Sequence, residues 1–225
     1  MKLNTLTGSA AITFPFMGQQ LQLFPDKAIF WKEQKSLLLS DVHLGKAAHF
    51  RKAGIAVPGT IHRHDLERIS NLIHQTGAER VLFLGDLFHS ELNKEWWFFE
   101  EWLHTHQEVQ FVLIKGNHDI LPPAIYQQSR LKIAEEELIL SPFILTHEPL
   151  NSKKSKKGLY NICGHIHPAI KLRGGAFQQL RLPCFYFGLH YALLPAFGKF
   201  TGFYQIKPKK EDIIFAIAED RVLHL

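Results

Sequence analysis

The sequence predicts an α/β protein in which two β-sheets pack face to face with helices outside. Three observations carry this. The first half alternates short, fully apolar runs with helical stretches, the pattern of βαβ units around a parallel sheet. The second half is a succession of strand-like runs with few helical stretches between them, and so a mostly antiparallel or mixed sheet. No Pro/Gly/Ser linker separates the halves, and one kind of polar side chain recurs from position 41 to 167. A site that draws on both halves argues for a single domain, 1–225, which 225 residues are enough to build.

The elements follow in order. Residues 9–35 read as an N-terminal β-hairpin element: Ala11 to Phe14, a turn at Gly18, Leu21 to Phe24, then Ala28 to Trp31. Leu37-Leu38-Leu39 is a buried strand running into Asp41, followed by a polar loop from Gly45 to Gly59. A helix is expected over roughly 60–76, because Leu66, Ile69, Leu72 and Ile73 share one face and Gly77 suits its C-terminal cap. Val81 to Leu84 is the second buried strand, Glu95 to Leu103 a second helix, and Phe111 to Ile114 the third buried strand. Further strands are expected at 138–140, 143–145, 159–163, 181–187, 202–206 and 212–216.

Composition narrows the class. With 46% hydrophobic and 21% charged residues the chain is ordinary for a globular protein. No apolar run approaches the ~18 residues of a membrane span. The first residues, Met1 to Gly8, lack a secretory apolar core, so Cys163 and Cys184 are expected as free thiols in the cytoplasm. The net charge of +5 is compatible with a polyanionic partner but is weak evidence, since many basic proteins bind no nucleic acid.

Five segments carry the chemistry. Each follows an apolar run: Ser40-Asp41-Val42-His43, Gly85-Asp86-Leu87-Phe88-His89, Gly116-Asn117-His118-Asp119, Thr146-His147-Glu148 and Gly164-His165-Ile166-His167. Sites of open α/β sheets form at the carboxyl ends of strands, so these side chains should converge on one edge. Asp, Asn and His together suit divalent manganese, iron or zinc, and are too nitrogen-rich for calcium or magnesium. The set contains no thiolate, which disfavours a structural zinc site. Six or seven ligands oversupply one ion. They suit two ions about 3.5–4 Å apart, sharing a carboxylate and activating water for in-line displacement at phosphorus.

This ordered set resembles the calcineurin-like metallophosphoesterases, most strongly over 37–170, with all five blocks intact. The resemblance implies a four-layer αββα sandwich and two divalent metals. It implies that Asp41, His43, Asp86 and His167 hold the first metal and Asp86, Asn117, His147 and His165 the second, with Asp86 bridging. It gives His118 the role of stabilising the pentacovalent phosphorus or protonating the leaving oxygen, and Asp119 that of orienting His118 by a hydrogen bond. His89 matches a position that nucleases of the superfamily use near the scissile phosphate. Two further stretches, Ser40 to Arg51 with Gly54 to Pro58, and Leu194 to Gly202, are similar to the PdeM subfamily of bacterial ligase-associated DNA-damage-response endonucleases. That likeness implies a manganese-dependent phosphodiesterase acting on DNA, preferentially single-stranded. It also implies partnership with an ATP-dependent DNA ligase and a helicase in DNA repair.

Other features have plainer readings beside the functional ones. Lys46, Arg51 and Lys52 follow the first metal-type motif and could contact phosphates; otherwise they belong to a solvated loop. Lys153, Lys154, Lys156 and Lys157 form a charge run, ordinarily a solvated loop, here set between two site-bearing strands. Trp96, Trp97, Phe98, Phe99 and Trp102 have helical spacing, which says core first and, for a band this wide, a homodimer contact second. Two rivals remain: a hydrolase of small phosphodiesters or phosphomonoesters such as nucleotides, and a non-catalytic binding module on the same scaffold.

Overall fold

The apolar runs become strands of two mixed sheets. The computed structural model describes residues 8–46, 61–88, 94–151, 156–173, 179–199 and 201–225. In the first sheet β2 (Ile12–Phe16), β3 (Gln19–Leu23) and β4 (Ile29–Trp31) form an antiparallel meander leading into β5 (Ser36–Leu39). From β5 the sheet turns parallel, through β6 (Arg80–Leu84) and β7 (Gln110–Ile114) to β8 (Lys132–Ala134). The connections carry α1 (Ile61–Thr76) and α2 (Lys94–Thr105), so this is the expected βαβ core.

Side chains alternate across a strand, and both faces of this sheet are apolar. Leu37, Leu39, Val81, Phe83, Phe111 and Leu113 meet Leu66, Ile69, Leu72 and Ile73 of α1 and Trp96, Phe99 and Leu103 of α2. The opposite set, Leu38, Leu82, Leu84, Val112 and Ile114, faces the second sheet. Gly77 closes α1 as expected: at φ +65° its N–H and that of Ala78 both reach the Ile73 carbonyl.

The second sheet runs in the order β1-β17-β16-β13-β14-β11-β10-β9. Its members are β1 (Gly8–Ser9), β9 (Glu137–Leu140), β10 (Phe143–Thr146), β11 (Tyr160–Cys163), β13 (Gln179–Phe187), β14 (Tyr191–Leu193), β16 (Ile213–Ala218) and β17 (Arg221–His224). β10, β11 and β14 are parallel neighbours. Phe143, Leu145, Ile162, Phe185, Phe187, Phe215 and Ile217 fill the space between the sheets against Leu21, Leu23, Ile29 and Trp31. Phe14 and Phe16 add ring contacts with Phe187, at centroid distances of 4.9 and 5.3 Å.

Several details differ from expectation. Among the described residues the helices, including the short α3 (Pro123–Gln127), all pack on the first sheet. Among the described residues the second sheet carries a smaller apolar cluster of its own apart from the core between the sheets. β12 (Pro168–Arg173) folds back on β13, and Leu172 meets Leu182, Cys184, Ile214 and Ala216. Gly8–Ser9 leaves the N-terminal meander to pair with β17. The run at 202–206 keeps only β15 (Tyr204–Gln205), which pairs with β12. β8, β12, β14, β17 and α3 are too short or too mixed in polarity for a periodicity to mark them. Of the aromatic band, Trp96 and Phe99 are core, whereas Trp97 and Phe98 are 62% and 44% exposed. Cys163 and Cys184 are buried free thiols, and burial pushes the Cys184 thiol up to about 12. No described helix is long and apolar enough to cross a membrane.

Candidate metal centre

Five parallel strands, β5, β6 and β7 of one sheet and β10 and β11 of the other, deliver the metal-type residues from their carboxyl ends. The loops after β5 and β6 are zipped together. Asp41 N–H donates to the Gly85 carbonyl (3.1 Å), His43 N–H to Asp86 (2.9 Å) and Leu44 N–H to Leu87 (2.8 Å). Within the second sheet, Gly164 N–H reaches the His147 carbonyl (2.9 Å); across the sheets, His165 N–H donates to Asp41 Oδ2 (3.0 Å).

The backbone at the site is strained. Asp41, His43, Asp86, His165 and His167 all have φ between +51° and +65°, a region that costs non-glycine residues free energy and persists only where surroundings enforce it. Close approach requires small neighbours as well. A Cβ on Gly116 would lie 2.3 Å from Asp86 Oδ1, and one on Gly85 2.2 Å from His147 Nδ1. Gly116→Ala should therefore displace Asp86 and weaken metal binding about tenfold or more while the fold persists. Circular dichroism beside a metal titration reads both effects; unchanged affinity would show that the loop absorbs the methyl.

The seven metal-type residues come together. Ligand atoms of Asp41, His43 and His167 lie within 4.8 Å of one another, and so do those of Asp86, His147 and His165. Asn117 joins the second group, its Oδ1 standing 3.1 Å from His147 Nε2. Asp86 lies between the two, with Oδ2 3.9 Å from His43 Nε2 and Oδ1 3.4 Å from His147 Nε2.

The donor set itself fits cations. His147 Nδ1 donates to the Leu84 carbonyl (3.0 Å), so in the neutral ring Nε2 is a lone pair. That lone pair faces Asn117 Oδ1 (3.1 Å), Asp86 Oδ1 (3.4 Å) and His165 Nδ1 (3.0 Å). At most one proton, on His165, could lie among these atoms, so the remainder is a convergence of acceptors that a cation satisfies. His167 repeats the pattern. Its Nδ1 is bound to the Gly202 carbonyl (3.1 Å), and its Nε2 stands 3.1 Å from Asp41 Oδ1, a buried oxygen without a hydrogen-bond donor. Burial opposes ionisation of Asp41. When His167 and His147 are protonated instead of holding a cation, hydrogen bonding from His167 and the positive charge of both rings outweigh burial and hold the carboxyl below its ordinary value.

His118 sits beside this cluster, its ring 5.5 Å from that of His43 and its N–H donating to Asp86 Oδ1 (3.0 Å). The expected hydrogen bond from Asp119 to His118 is corrected. The Asp119 carboxylate is 2% exposed and accepts instead from the backbone N–H of Asp86 (2.7 Å), Gly116 (2.9 Å) and Phe88 (3.1 Å). It sits one residue past His118 yet points back under the loops, so it ties the β6 and β7 termini together. Burial raises its pKa to about 6 despite those three donors.

Of the basic candidates, Lys46 is partly buried in the field of Asp86 and Asp41. Lys156 forms an ion pair with Glu137, and Lys157 is exposed. His89, Arg51, Lys52, Lys153 and Lys154 lie outside the described residues. A groove of about 870 Å³ opens beside Asn117 and His147; its wall carries Glu135, Glu136, Glu137 and Glu148, with Lys115 paired to Glu135 and Lys156 to Glu137. The sequence reading missed Arg68 and Phe197, which reach the back of the Asp41 loop. Arg68 is one charged residue of many on an amphipathic helix, and nothing in the pattern marks it.

The comparisons agree with this geometry. The family model for calcineurin-like phosphoesterase matches residues 35–214. Among solved structures, the Pseudomonas putida nuclease MPE superposes with a TM-score of 0.78 at 32% identity, covering 96% of this chain and 100% of that one. Yfce, a phosphoesterase from E. coli, gives a TM-score of 0.40 at 16% identity over 82% of this chain and 88% of that one, too slight to bear on the site. No curated protein matches the chain. The family's chemistry needs two divalent metals, and two ligand groups stand at the strand ends: the chain belongs to the calcineurin-like phosphoesterase family and is a metal-dependent phosphodiesterase.

Proposed function

We propose that the substrate is DNA, single-stranded in preference to duplex, and that the metals are two manganese ions, with iron or zinc able to substitute. The likeness to a nuclease over nearly the whole of both chains carries this reading. Asp41, His43 and His167 would hold one ion, Asn117, His147 and His165 the other, and Asp86 would bridge them with one oxygen toward each group. Bound there, the ions lower the pKa of water and neutralise charge on the phosphoryl oxygens. His118, ring against His43, donates a hydrogen bond to the phosphoryl oxygen or a proton to the leaving oxygen. The resemblance would give His89 a role near the scissile phosphate. Asp119 keeps the loops that carry Asp86 and His118 in register. The subfamily resemblance adds the setting, DNA repair with an ATP-dependent DNA ligase and a helicase as partners, and the buried free thiols suit a cytoplasmic location.

The groove wall bears on the side from which a strand would arrive. Four glutamates, Glu135, Glu136, Glu137 and Glu148, outnumber Lys115 and Lys156 along that wall, so a phosphate backbone is less favoured on the Asn117 side than past Lys46. The same groove favours the second reading, hydrolysis of a small phosphodiester, which needs no track for a polyanion. The discriminating assay offers the protein single-stranded DNA, duplex DNA and bis-p-nitrophenyl phosphate, with manganese or with chelator. Manganese-dependent cutting of single strands supports the nuclease; turnover of the small diester with DNA left intact moves the function to the second reading. If the 153–157 lysines also touch the backbone, neutralising all four should make the log–log salt slope of single-strand binding shallower by up to about 3. An unchanged slope returns them to solvent.

A further inference from the structure

A cluster behind the first metal group connects α1 to the Asp41 loop. Arg68 is the centre of it, its side chain 15% exposed. Its Nη1 donates to Asp65 Oδ1 (3.0 Å) and to the Phe197 carbonyl (3.1 Å), its Nη2 to the Asp26 carbonyl (2.7 Å) and its Nε to Asp26 Oδ1 (3.3 Å). The guanidinium also lies 4.0 Å from the centroid of the fully buried Phe197 ring. The segment it grips leads directly to the site. Phe197 N–H donates to the Ser40 carbonyl (2.9 Å) and Gly198 N–H to the Asp41 carbonyl (3.1 Å). The approach is so close that a Cβ on Gly198 would meet the Val42 carbonyl oxygen at 2.4 Å.

The Asp41–His43 turn is thus held from two sides. On one side the β6 loop accepts its N–H groups; on the other the Phe197–Gly198 segment caps its carbonyls. Asp41 and His43 are both left-handed, at φ +53° and +51°, a conformation that relaxes when its supports are removed. Among the described residues Arg68 makes no direct contact with the second metal group, which meets the Asp41–His43 turn only at one remove, through His43 N–H on the Asp86 carbonyl and His165 N–H on Asp41 Oδ2. Asp86 is held by Asp119 and Gly116, and His147 by the Leu84 carbonyl.

We propose that Arg68 is a positioning residue for one metal of the pair: through Phe197 and Gly198 it holds Asp41 and His43 in ligating geometry, and its loss weakens that ion's binding alone. The inference rests on the assignment of Asp41, His43 and His167 to one metal. A lysine cannot replace the fork, because three of the four hydrogen bonds come from Nη1 and Nη2 in fixed directions.

The test is calorimetric titration of the metal-free full-length protein with manganese alone. Wild type should show two binding events; failure to bind two ions would overturn the metal assignment itself, before Arg68 is considered. Arg68→Met keeps the apolar stem and should weaken one event by about 10–100-fold, leaving the other within twofold. Arg68→Lys should fall close to Arg68→Met. In a His167→Ala background, which already lacks the first group, Arg68→Met should change the remaining event little. A merely structural role predicts otherwise: a lower melting temperature with both affinities intact, or both weakened alike, and either result overturns the proposal. Should Arg68→Met fail to fold, Gly198→Ala disturbs the same loop from the same side and must show the same one-site loss.

Discussion

Asp86→Ala should lose both metals together, and with them hydrolysis by at least about 1000-fold, since removing a single donor from a charge-stabilising site already costs ~100–1000-fold. The reason is geometric. Asp86 is the residue whose two oxygens face one histidine of each group, 3.9 Å from His43 Nε2 and 3.4 Å from His147 Nε2. Its removal also strips His118 N–H of an acceptor and takes away a carboxylate 3% exposed among imidazoles. Calorimetry with manganese reads the metals and hydrolysis of bis-p-nitrophenyl phosphate reads the chemistry. Retention of one tight site with the other lost would show that Asp86 serves a single ion.

His118→Ala should part the two readouts. Its ring stands beside His43 outside both three-residue ligand groups, so both metal affinities should stay within a few-fold of wild type. Turnover should nevertheless fall by roughly 100-fold or more, the usual contribution of a positioned acid or hydrogen-bond donor. The loss should appear in kcat more than in KM, because charge on the phosphoryl oxygens grows toward the transition state. A substrate with a good leaving group, such as p-nitrophenolate, should soften the loss if His118 protonates the leaving oxygen. An equal loss on poor and good leaving groups would assign it to stabilising the phosphoryl oxygens instead. A near-normal rate would remove His118 from the chemistry.

The metal-type side chains were legible because their motifs obey a topological rule. Asp41, Asp86 and Asn117 each stand two or three residues past a strand whose last four residues are buried, and a parallel sheet brings such positions to one edge whatever the loops do. The same rule did not reach Asp119. Its neighbour is His118, and the family resemblance implied a hydrogen bond between them. The direction of the side chain is set by three backbone N–H groups from two different loops, which no local pattern encodes. The aromatic helix divides in the same way. Trp96, Phe99 and Leu103 follow the helical period into the core, whereas Trp97 and Phe98 are left outward by the width of that face.

The sequence by itself determined the parallel core, the helix over Ile61–Thr76, the family and the seven side chains that could hold metal, because periodicity and ordered motifs are local properties of a chain. Tertiary structure alone decided the rest. It set the left-handed backbone at five of those residues, gave Asp86 one oxygen toward each group, turned Asp119 under the loops and brought Arg68 against Phe197 across 129 positions. Those features depend on contacts between distant segments, whose directions are fixed only when both sheets are packed and each buried polar group has found its partner.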